Sequence, residues 1–558
     1  MSPLDRRDLI RFVFLGGVWM AVGKNSLASF AAPGDKAAAL PFDLEEATLA
    51  GLQDALAFGR ATSVSLVEAY TARIVTMDRG GPAIHSVIEL NPEAVAIADN
   101  LDAERRAKGH RGPLHGIPIL IKDNIDTADR MATTAGSLAL AGAPAPISDA
   151  AVAARLRAAG AVIMGKTNLS EWANFRSSHA VSGWSGRGGQ THNPYALDRN
   201  PCGSSSGSGA AVAANLAALG VGTETDGSIV CPSSSNGLVG IKPTVGLVGR
   251  SGIIPISQTQ DTAGPMARTV TDASILLSAL AGYDPRDAAT APMKGRAAAD
   301  YTTFLDPAGL RGARLGVLRQ QFGFNERVDG LMAACLDVMK GLGAVLIDPV
   351  EAPTLGKLDG PEMEVLLYEF KAGLNAYLAA RCPAGPCRTL ADLIAFNEKN
   401  CDREMPLFGQ DLFLKAEGKG PLSDSAYKSA LKACRRLSRK KGIDAVMDQF
   451  KLDALLAPTG GIPWVTDPLN GDHFTGGCST PPAVAGYPHI TVPAGFIWGL
   501  PVGLSFFGRA YSEGVLIRLA YAFEQATKFR RPPDFRIRAD GALPSDAASA
   551  PPVRCSAK

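Results

Sequence analysis

Short apolar runs and longer amphipathic stretches follow each other along this chain. Residues 117–121 form a short apolar run, as in a strand that is buried on both faces. Comparable runs, each predicting a strand, lie at 161–166, 453–458, 490–493 and 500–506. Apolar residues at helical spacing predict helices at 65–74, 94–108, 151–159, 363–380, 425–447 and 513–527. Because strands and helices alternate through the centre, the pattern predicts an α/β fold.

The stretch at 201–232 departs from this pattern, since two loops rich in Ser and Gly flank an Ala-rich segment at 210–219 that predicts a short helix. Such a stretch is compatible with a phosphate loop, although the lysine of a P-loop is missing, and with a flexible linker. Residues 203–207 also match G-x-S-x-G, which makes Ser205 the nucleophile of an elbow. In a fourth interpretation, both loops meet and bring Ser204 and Ser228 together.

A serine nucleophile needs a partner that removes its proton. For Ser205 in an elbow, this partner would be a histidine, and His473 and His489 are the candidates. For two loops that meet, the partner would be the second serine, supported by a lysine. Lys122 follows directly on the apolar run at 117–121, and this position favours a half-buried lysine over a solvated one.

Three motifs, in this order, resemble those of the amidase signature hydrolases, which use a Ser–Ser–Lys triad. They are residues 116–124 with Lys122, residues 203–205 with Ser204, and residues 226–229 with Ser228. The resemblance implies one large catalytic domain at 37–540, in which α-helices cover a mixed central β-sheet. It also implies hydrolysis of a carboxamide to an acid and ammonia or an amine, without a cofactor or a metal.

The resemblance assigns a role to each of these residues. Ser228 would be the nucleophile, and Ser204 would pass its proton to Lys122 and return it to the leaving nitrogen. The peptide bond before Ser204 would be cis. The oxyanion would be held by the backbone N–H groups of Thr225, Asp226, Gly227 and Ser228.

Lys122 has to be uncharged to act as the base. We expect burial and surrounding N–H donors to lower its pKa from the ordinary value of about 10.4. The carboxylates of Asp123 and Asp226, if they point inward, would act against this shift because they favour the ammonium form.

Several positions depart from the pattern of most amidase signature enzymes, which have glycine at Cys202, Ser206 and Asp226 and arginine at Val230. These departures, with the segments at 193–195, 223–232 and 366–373, resemble a subgroup of bacterial peptide amidases. This resemblance implies C-terminally amidated peptides as substrates. Other amides, anilides or carbamates are the alternative, and an amidotransferase subunit, which would need partner chains, is a third.

Composition excludes some classes of function. The 558 residues carry a net charge of +2, which gives no electrostatic reason to expect a nucleic-acid partner. The basic cluster at 435–441 has helical spacing and predicts a solvated helix face. No H-E-x-x-H or C-x-x-C motif indicates a metal site. Of the nine cysteines, Cys382 and Cys387 are close enough in sequence for a small surface disulfide.

The first 32 residues have the features of a bacterial twin-arginine export signal. Arg6 and Arg7 precede an apolar run at 12–22, and small residues follow at 26–32. The run is shorter than the roughly 20 residues of a membrane-spanning helix, so no stable span is expected after processing. We therefore expect a periplasmic protein, or a cytoplasmic one if the signal does not function. Residues 541–558, rich in Ala, Ser and Pro, predict a disordered tail.

Export makes a prediction about the mature N-terminus. Protein isolated from its native host should begin between Ala28 and Asp35, because a signal peptidase cleaves after small residues. N-terminal sequencing of the periplasmic fraction checks this prediction. An intact Met1 in a cytosolic fraction would contradict it.

Overall fold

The computed structural model describes residues 43–296, 299–381, 385 and 387–539. The predicted export signal at 1–32 and the predicted tail at 541–558 fall outside the described residues, and so does one partner of the expected disulfide, Cys382. Among the described helices, each is too short or too polar to cross a bilayer.

Eleven of the strands form one sheet at the centre of the domain. The strands are β1 (Val87–Leu90), β2 (Pro118–Lys122), β3 (Val162–Thr167), β4 (Trp184–Ser185), β5 (Gly189–Gln190), β6 (Leu219–Glu224), β7 (Val239–Lys242), β8 (Thr262–Ala267), β9 (Arg314–Val317), β10 (Val345–Ile347), β11 (Ala454–Pro458), β12 (His489–Ile497) and β13 (Leu500–Phe507). In the large sheet their order is β1-β3-β2-β6-β8-β7-β12-β13-β11-β9-β10, and β4 pairs with β5 in a separate hairpin.

The large sheet is mixed, as expected. Strand β2 runs parallel to both of its neighbours, β3 and β6. In the middle of the sheet, each strand is antiparallel to the next one in the order β6, β8, β7, β12, β13, β11. Strands β11, β9 and β10 are parallel again. Strand β2 is buried along its whole length, which explains why its sequence is continuously apolar rather than alternating.

Helices pack around this sheet. The α-helices are α1 (Leu49–Ala57), α2 (Ser63–Arg73), α3 (Ala94–Lys108), α4 (Ala151–Ala158), α5 (Ser206–Ala213), α6 (Val230–Ser235), α7 (Val270–Leu280), α8 (Glu326–Gly341), α9 (Asp359–Arg381), α10 (Leu390–Lys399), α11 (Cys401–Glu404), α12 (Asp411–Glu417), α13 (Ser425–Arg435), α14 (Asp444–Phe450), α15 (Thr480–Ala485) and α16 (Glu513–Thr527). A π-helical segment, Arg436–Ile443, joins α13 to α14. The sheet with its covering helices confirms the predicted α/β class.

Several predicted boundaries are wrong. Helix α2 is capped by Thr62, whose side chain accepts from the backbone N–H of Ser65, so the helix begins at Ser63, before the predicted start at residue 65. Two short strands, β9 and β10, are absent from the prediction. Strand β10 is the edge of the sheet and β9 is next to it, and both carry few residues, so their apolar pattern is too short to distinguish from a loop.

The Ala-rich segment in the centre also differs from its prediction. Its helix, α5, begins at Ser206 inside the Ser/Gly loop and ends at Ala213, and the chain then enters β6. Every residue of α5 is buried. A Cβ atom at Gly207 would lie 2.3 Å from the carbonyl oxygen of Ser86, so the small residues of this loop are required by close packing rather than by flexibility.

Candidate active site

Lys122 ends β2 in the interior of the domain, where the flanking parallel strands β3 and β6 cover it on both sides. Its side chain is fully buried, not half-buried as the sequence predicted. The amine Nζ donates hydrogen bonds to Ser204 Oγ (2.8 Å), Thr223 Oγ1 (3.0 Å) and Thr223 O (3.3 Å). The structure therefore brings together the lysine and the first serine of the predicted triad across 82 residues of sequence.

Burial lowers the pKa of Lys122 to about 7, against the opposing charges of Asp261 and Glu224. The direction and its main cause, burial, agree with the expectation, but the expected N–H donors are wrong. The partners of the amine are oxygen acceptors rather than N–H donors, so desolvation alone produces the shift. The Asp123 carboxylate accepts hydrogen bonds from the Thr134 hydroxyl and the Gly136 N–H, and the Asp226 carboxylate accepts one from the Thr480 hydroxyl. Neither is among the carboxylates that act on Lys122.

Ser204 lies at the start of the loop that precedes α5. The Gly203–Ser204 peptide bond is cis, as the resemblance implied. In the part of the chain that the structure describes, the hydroxyls of Ser204 and Ser228 form no direct hydrogen bond. The two loops meet instead through the backbone, where the Ser205 N–H donates to the carbonyl oxygen of Ser228 at 3.2 Å.

Ser228 lies in the turn between β6 and α6, and the backbone of this turn has free donors. Among the described residues, the N–H groups of four consecutive positions find no acceptor: Thr225, Asp226, Gly227 and Ser228. The next two N–H groups, of Ile229 and Val230, both donate to Glu224 Oε2, at 2.7 and 3.0 Å. The buried Glu224 carboxylate thus fixes the end of the turn and leaves the four predicted oxyanion donors available for a ligand.

A disulfide that the sequence analysis missed links the same two loops. It joins Cys202, two residues before Ser204, to Cys231, three residues after Ser228, with 5.9 Å between the Cα atoms. Both cysteines are buried, and both line the cavity in front of Ser228. The signal was present in the sequence, because each cysteine flanks a motif and the two motifs had to meet for a triad to form.

The elbow hypothesis for Ser205 does not fit the geometry. The Ser205 hydroxyl is buried between the backbone groups of Thr223, donating to its carbonyl oxygen at 3.1 Å and accepting from its N–H at 3.2 Å. Neither candidate histidine is its partner. His489 lies in the core 2.6 Å from Ser505, where burial lowers its pKa to about 3, and His473 is exposed beside Asp467.

A cavity of about 690 Å³ opens in front of Ser228. One wall comes from the first turns of α9, and another carries the aromatic side chains of Trp464 and Phe474. Four carboxylic acids line the cavity, with no lysine or arginine among its described lining residues: Asp226, Asp359, Glu362 and Asp472. The volume suits a drug-sized or short-peptide ligand.

Asp226, the most unusual residue of the turn, faces other polar groups rather than Lys122. Its Oδ2 accepts a hydrogen bond from Thr480 at 2.7 Å. Burial and neighbouring carboxyl groups, including Asp359, raise its pKa, and the charge of Asp226 adds to the burial that raises the pKa of Glu362. Across the described ranges, no group of His, Cys, Asp and Glu side chains is arranged to hold a metal ion.

A buried amine whose pKa is lowered to about 7, a serine bonded to it, a second serine at the cavity and a row of free amides fit a serine hydrolase that needs no histidine. Comparison with known proteins agrees with this class. Residues 65–517 match the family model described as Amidase, and the chain therefore belongs to the amidase family.

The relatives include both hydrolases and amidotransferase components. A probable amidase of Arabidopsis thaliana is 44% identical over 508 residues, which cover 88% of this chain and 92% of the relative. A glutamyl-tRNA(Gln) amidotransferase subunit from Chloroflexus aurantiacus is 36% identical over 508 residues, covering 87% of this chain and 98% of the relative.

Among solved structures, the native peptide amidase from Stenotrophomonas maltophilia is 54% identical, with a TM-score of 0.84 over 89% of this chain and 100% of that one. A complex of the peptide amidase PAM with the competitive inhibitor chymostatin gives 54% identity and a TM-score of 0.85, over 88% and 100%. This chain is thus similar to peptide amidase over the whole length of that enzyme.

The environments of the two serines make a prediction. Ser228→Ala should remove nearly all amide turnover, because Ser228 adjoins the free amides at the cavity. Ser205→Ala should keep a measurable fraction, because it removes only two hydrogen bonds to Thr223. Turnover of both variants and mapping of a fluorophosphonate label by mass spectrometry check this. A label on Ser205 would instead support the elbow.

The pKa of Lys122 makes a second prediction. Only the neutral amine can accept a proton, so kcat/KM for an amide should be low below pH 7 and rise through an apparent pKa of about 7. Lys122→Ala should slow amides more than esters with good leaving groups, since a poor amine leaving group depends most on the returned proton. The measurement is kcat/KM against pH for one amide and one matched ester.

His473→Ala is the control for this experiment, because His473 is exposed and its described partner is Asp467, not a residue of the triad. It should keep the whole pH profile. An equal loss on amide and ester in Lys122→Ala would contradict the proton-return role, and an unchanged pH limb in that variant would identify another base.

Proposed function

We propose that this protein hydrolyses the C-terminal amide of peptides, releasing ammonia and the free peptide acid. The observation that carries the proposal is the bonded pair of buried Lys122 and Ser204 behind a cavity that Ser228 lines. Similarity to peptide amidase at 54% identity supports the substrate class, whereas the similarity to the amidotransferase component is lower, at 36%.

In the proposed reaction, Ser228 Oγ attacks the amide carbon, and its proton passes through Ser204 to the neutral Lys122. The carbonyl oxygen becomes an oxyanion, which the free N–H groups of residues 225–228 stabilise. A donor of this kind is worth about 3–4 kcal/mol in transition-state stabilisation. Since the hydroxyls of Ser204 and Ser228 are not bonded to each other in the structure, this step requires the Ser228 side chain to turn toward Ser204.

Lys122 then returns the proton through Ser204 to the leaving nitrogen, and the bond from carbon to nitrogen breaks. The acyl group stays on Ser228 as an ester. Water attacks this ester, gives up a proton to the same relay, and releases the acid. Atoms and charge balance over the cycle: one water and one amide become one acid and one ammonia.

We also propose that the protein acts outside the cytoplasm. The support is the bond between Cys202 and Cys231, since disulfides persist mainly in oxidising compartments, together with the twin-arginine pattern at the start of the sequence.

A panel of matched substrates tests the reaction. An N-blocked dipeptide amide should release ammonia and its acid. The rates with the matched anilide, methyl ester and carbamate test the alternative substrate classes. A longer peptide amide should lose only its terminal amide, with internal bonds intact by mass spectrometry. Ser228→Ala is the matched inactive control. Faster turnover of the anilide or carbamate, or cleavage of internal bonds, would overturn the assignment.

A further inference from the structure

A second cavity, of about 290 Å³, lies beside the active-site cavity, and the first turns of α9 take part in both. Glu362 and Leu366 line the active-site cavity, and Val365 lines the second one. Val365 is three residues after Glu362 and one before Leu366 on this helix. The two cavities therefore contact neighbouring parts of the same helix surface.

The two cavities carry ionisable groups of different kinds, carboxylic acids in the first and arginines in the second. Two arginines, Arg435 and Arg439, line the second cavity, and its described lining includes no carboxylate. Arg435 is exposed and makes no side-chain hydrogen bond or ion pair among the described residues. The Nε of Arg439 donates to Ala485 O at 2.8 Å, and its guanidinium lies 5.6 Å from the ring centroid of Tyr487. Its two terminal nitrogens have no hydrogen-bond acceptor among the described residues.

Among the described residues, no carboxylate forms an ion pair with either arginine, and the carboxylates in this region are hydrogen-bonded to neutral hydroxyl groups. Glu369 accepts from Tyr427 Oη at 2.7 Å and from Ser257 Oγ at 2.5 Å. Asp444 accepts from Tyr487 Oη at 3.0 Å. The two like charges line the same cavity, and an anion placed between them would relieve their repulsion.

The local backbone is also unusual at this place. Arg439 lies in the π-helical segment Arg436–Ile443, directly after Arg435, which ends α13. Single π-helical turns occur frequently at functional sites. The sequence pattern predicted a solvated helix face for the whole basic cluster, whereas the structure separates Arg435 and Arg439, at the cavity, from Arg436, which is exposed outside it.

The rest of the wall is mixed: Val245, Val365, Leu431 and Val484 contribute apolar side chains, beside polar residues such as Thr244, Thr259 and Gln260. A small inorganic anion would leave the apolar side chains without a partner. We propose that the second cavity binds an organic carboxylate, whose charged group pairs with the guanidinium groups of Arg435 and Arg439 while its apolar part lies against the valines and the leucine. Guanidinium is suited to this task because its N–H groups match the two oxygens of a carboxylate.

One side chain connects this cavity to the oxyanion turn. Gln260 lines the second cavity, and its Nε2 donates to Glu362 Oε1 at 2.8 Å and lies 3.4 Å from the carbonyl oxygen of Thr225. An occupant that contacts Gln260 is therefore one residue away from the turn that carries Ser228. If the proposed function holds, the acid product of the reaction belongs to the class of ligand that this cavity accepts.

Calorimetric titration with 3-phenylpropionate tests the site without any need for turnover, so its outcome is independent of the amidase assay. The matched neutral probe is 3-phenylpropan-1-ol. We compare the wild type with Arg435→Gln and Arg439→Gln. Arg436→Gln is the control, since Arg436 belongs to the same basic cluster but lies outside the cavity. The side chain of Arg435 makes no hydrogen bond or ion pair within the described structure, so its replacement should leave folding intact.

Phenylpropionate should bind the wild type, and Arg435→Gln and Arg439→Gln should each raise its Kd by about tenfold or more, the loss expected for a charge-assisted hydrogen bond. Arg436→Gln should change Kd by less than about twofold, as for a screened surface charge. An equal loss in all three variants, binding of the alcohol as tight as that of the acid, or tighter binding of inorganic phosphate would each overturn the proposal.

Discussion

The burial of one amine is the constraint on which the rest of this structure depends. Lys122 has no carboxylate partner among the described residues, and an ammonium in that position would lose its hydration without an ion pair to compensate. Burial lowers the pKa of the amine to about 7, so a share of it is neutral and can act as a base at a pH where a free lysine is charged. Three oxygen acceptors from Ser204 and Thr223 fix its position without giving it a counter-charge.

The sheet topology produces this burial. Because β2 lies between two parallel strands, its carboxyl end opens at the same edge as those of β3 and β6, and the chain that leaves β6 forms the turn of Ser228. Glu224, the last residue of β6, holds the end of that turn, and the Cys202–Cys231 disulfide ties it to the loop of Ser204. Lysine, serine and oxyanion donors thus converge although they are far apart in sequence.

The charges around helix α9 separate two environments. The cavity in front of Ser228 contains carboxyl groups and no lysine or arginine among its described lining, and the neighbouring cavity has the reverse. Gln260 connects the two through Glu362 and the backbone of Thr225. Under the proposal made above, an organic acid would bind in the second cavity, close to the turn of Ser228.

The sequence by itself determined the α/β class, the strand that ends at Lys122 and the helices at 94–108 and 513–527, and its motifs singled out Lys122, Ser204 and Ser228 as candidates. These features are local, since apolar periodicity and Gly/Ser turns depend on neighbouring residues. Other features depend on contacts between distant segments. These are the carboxylates that act on Lys122, the hydrogen bonds of Ser205 to β6 and the disulfide between Cys202 and Cys231. Only the tertiary structure decides such contacts, because distance along the chain does not fix distance in space.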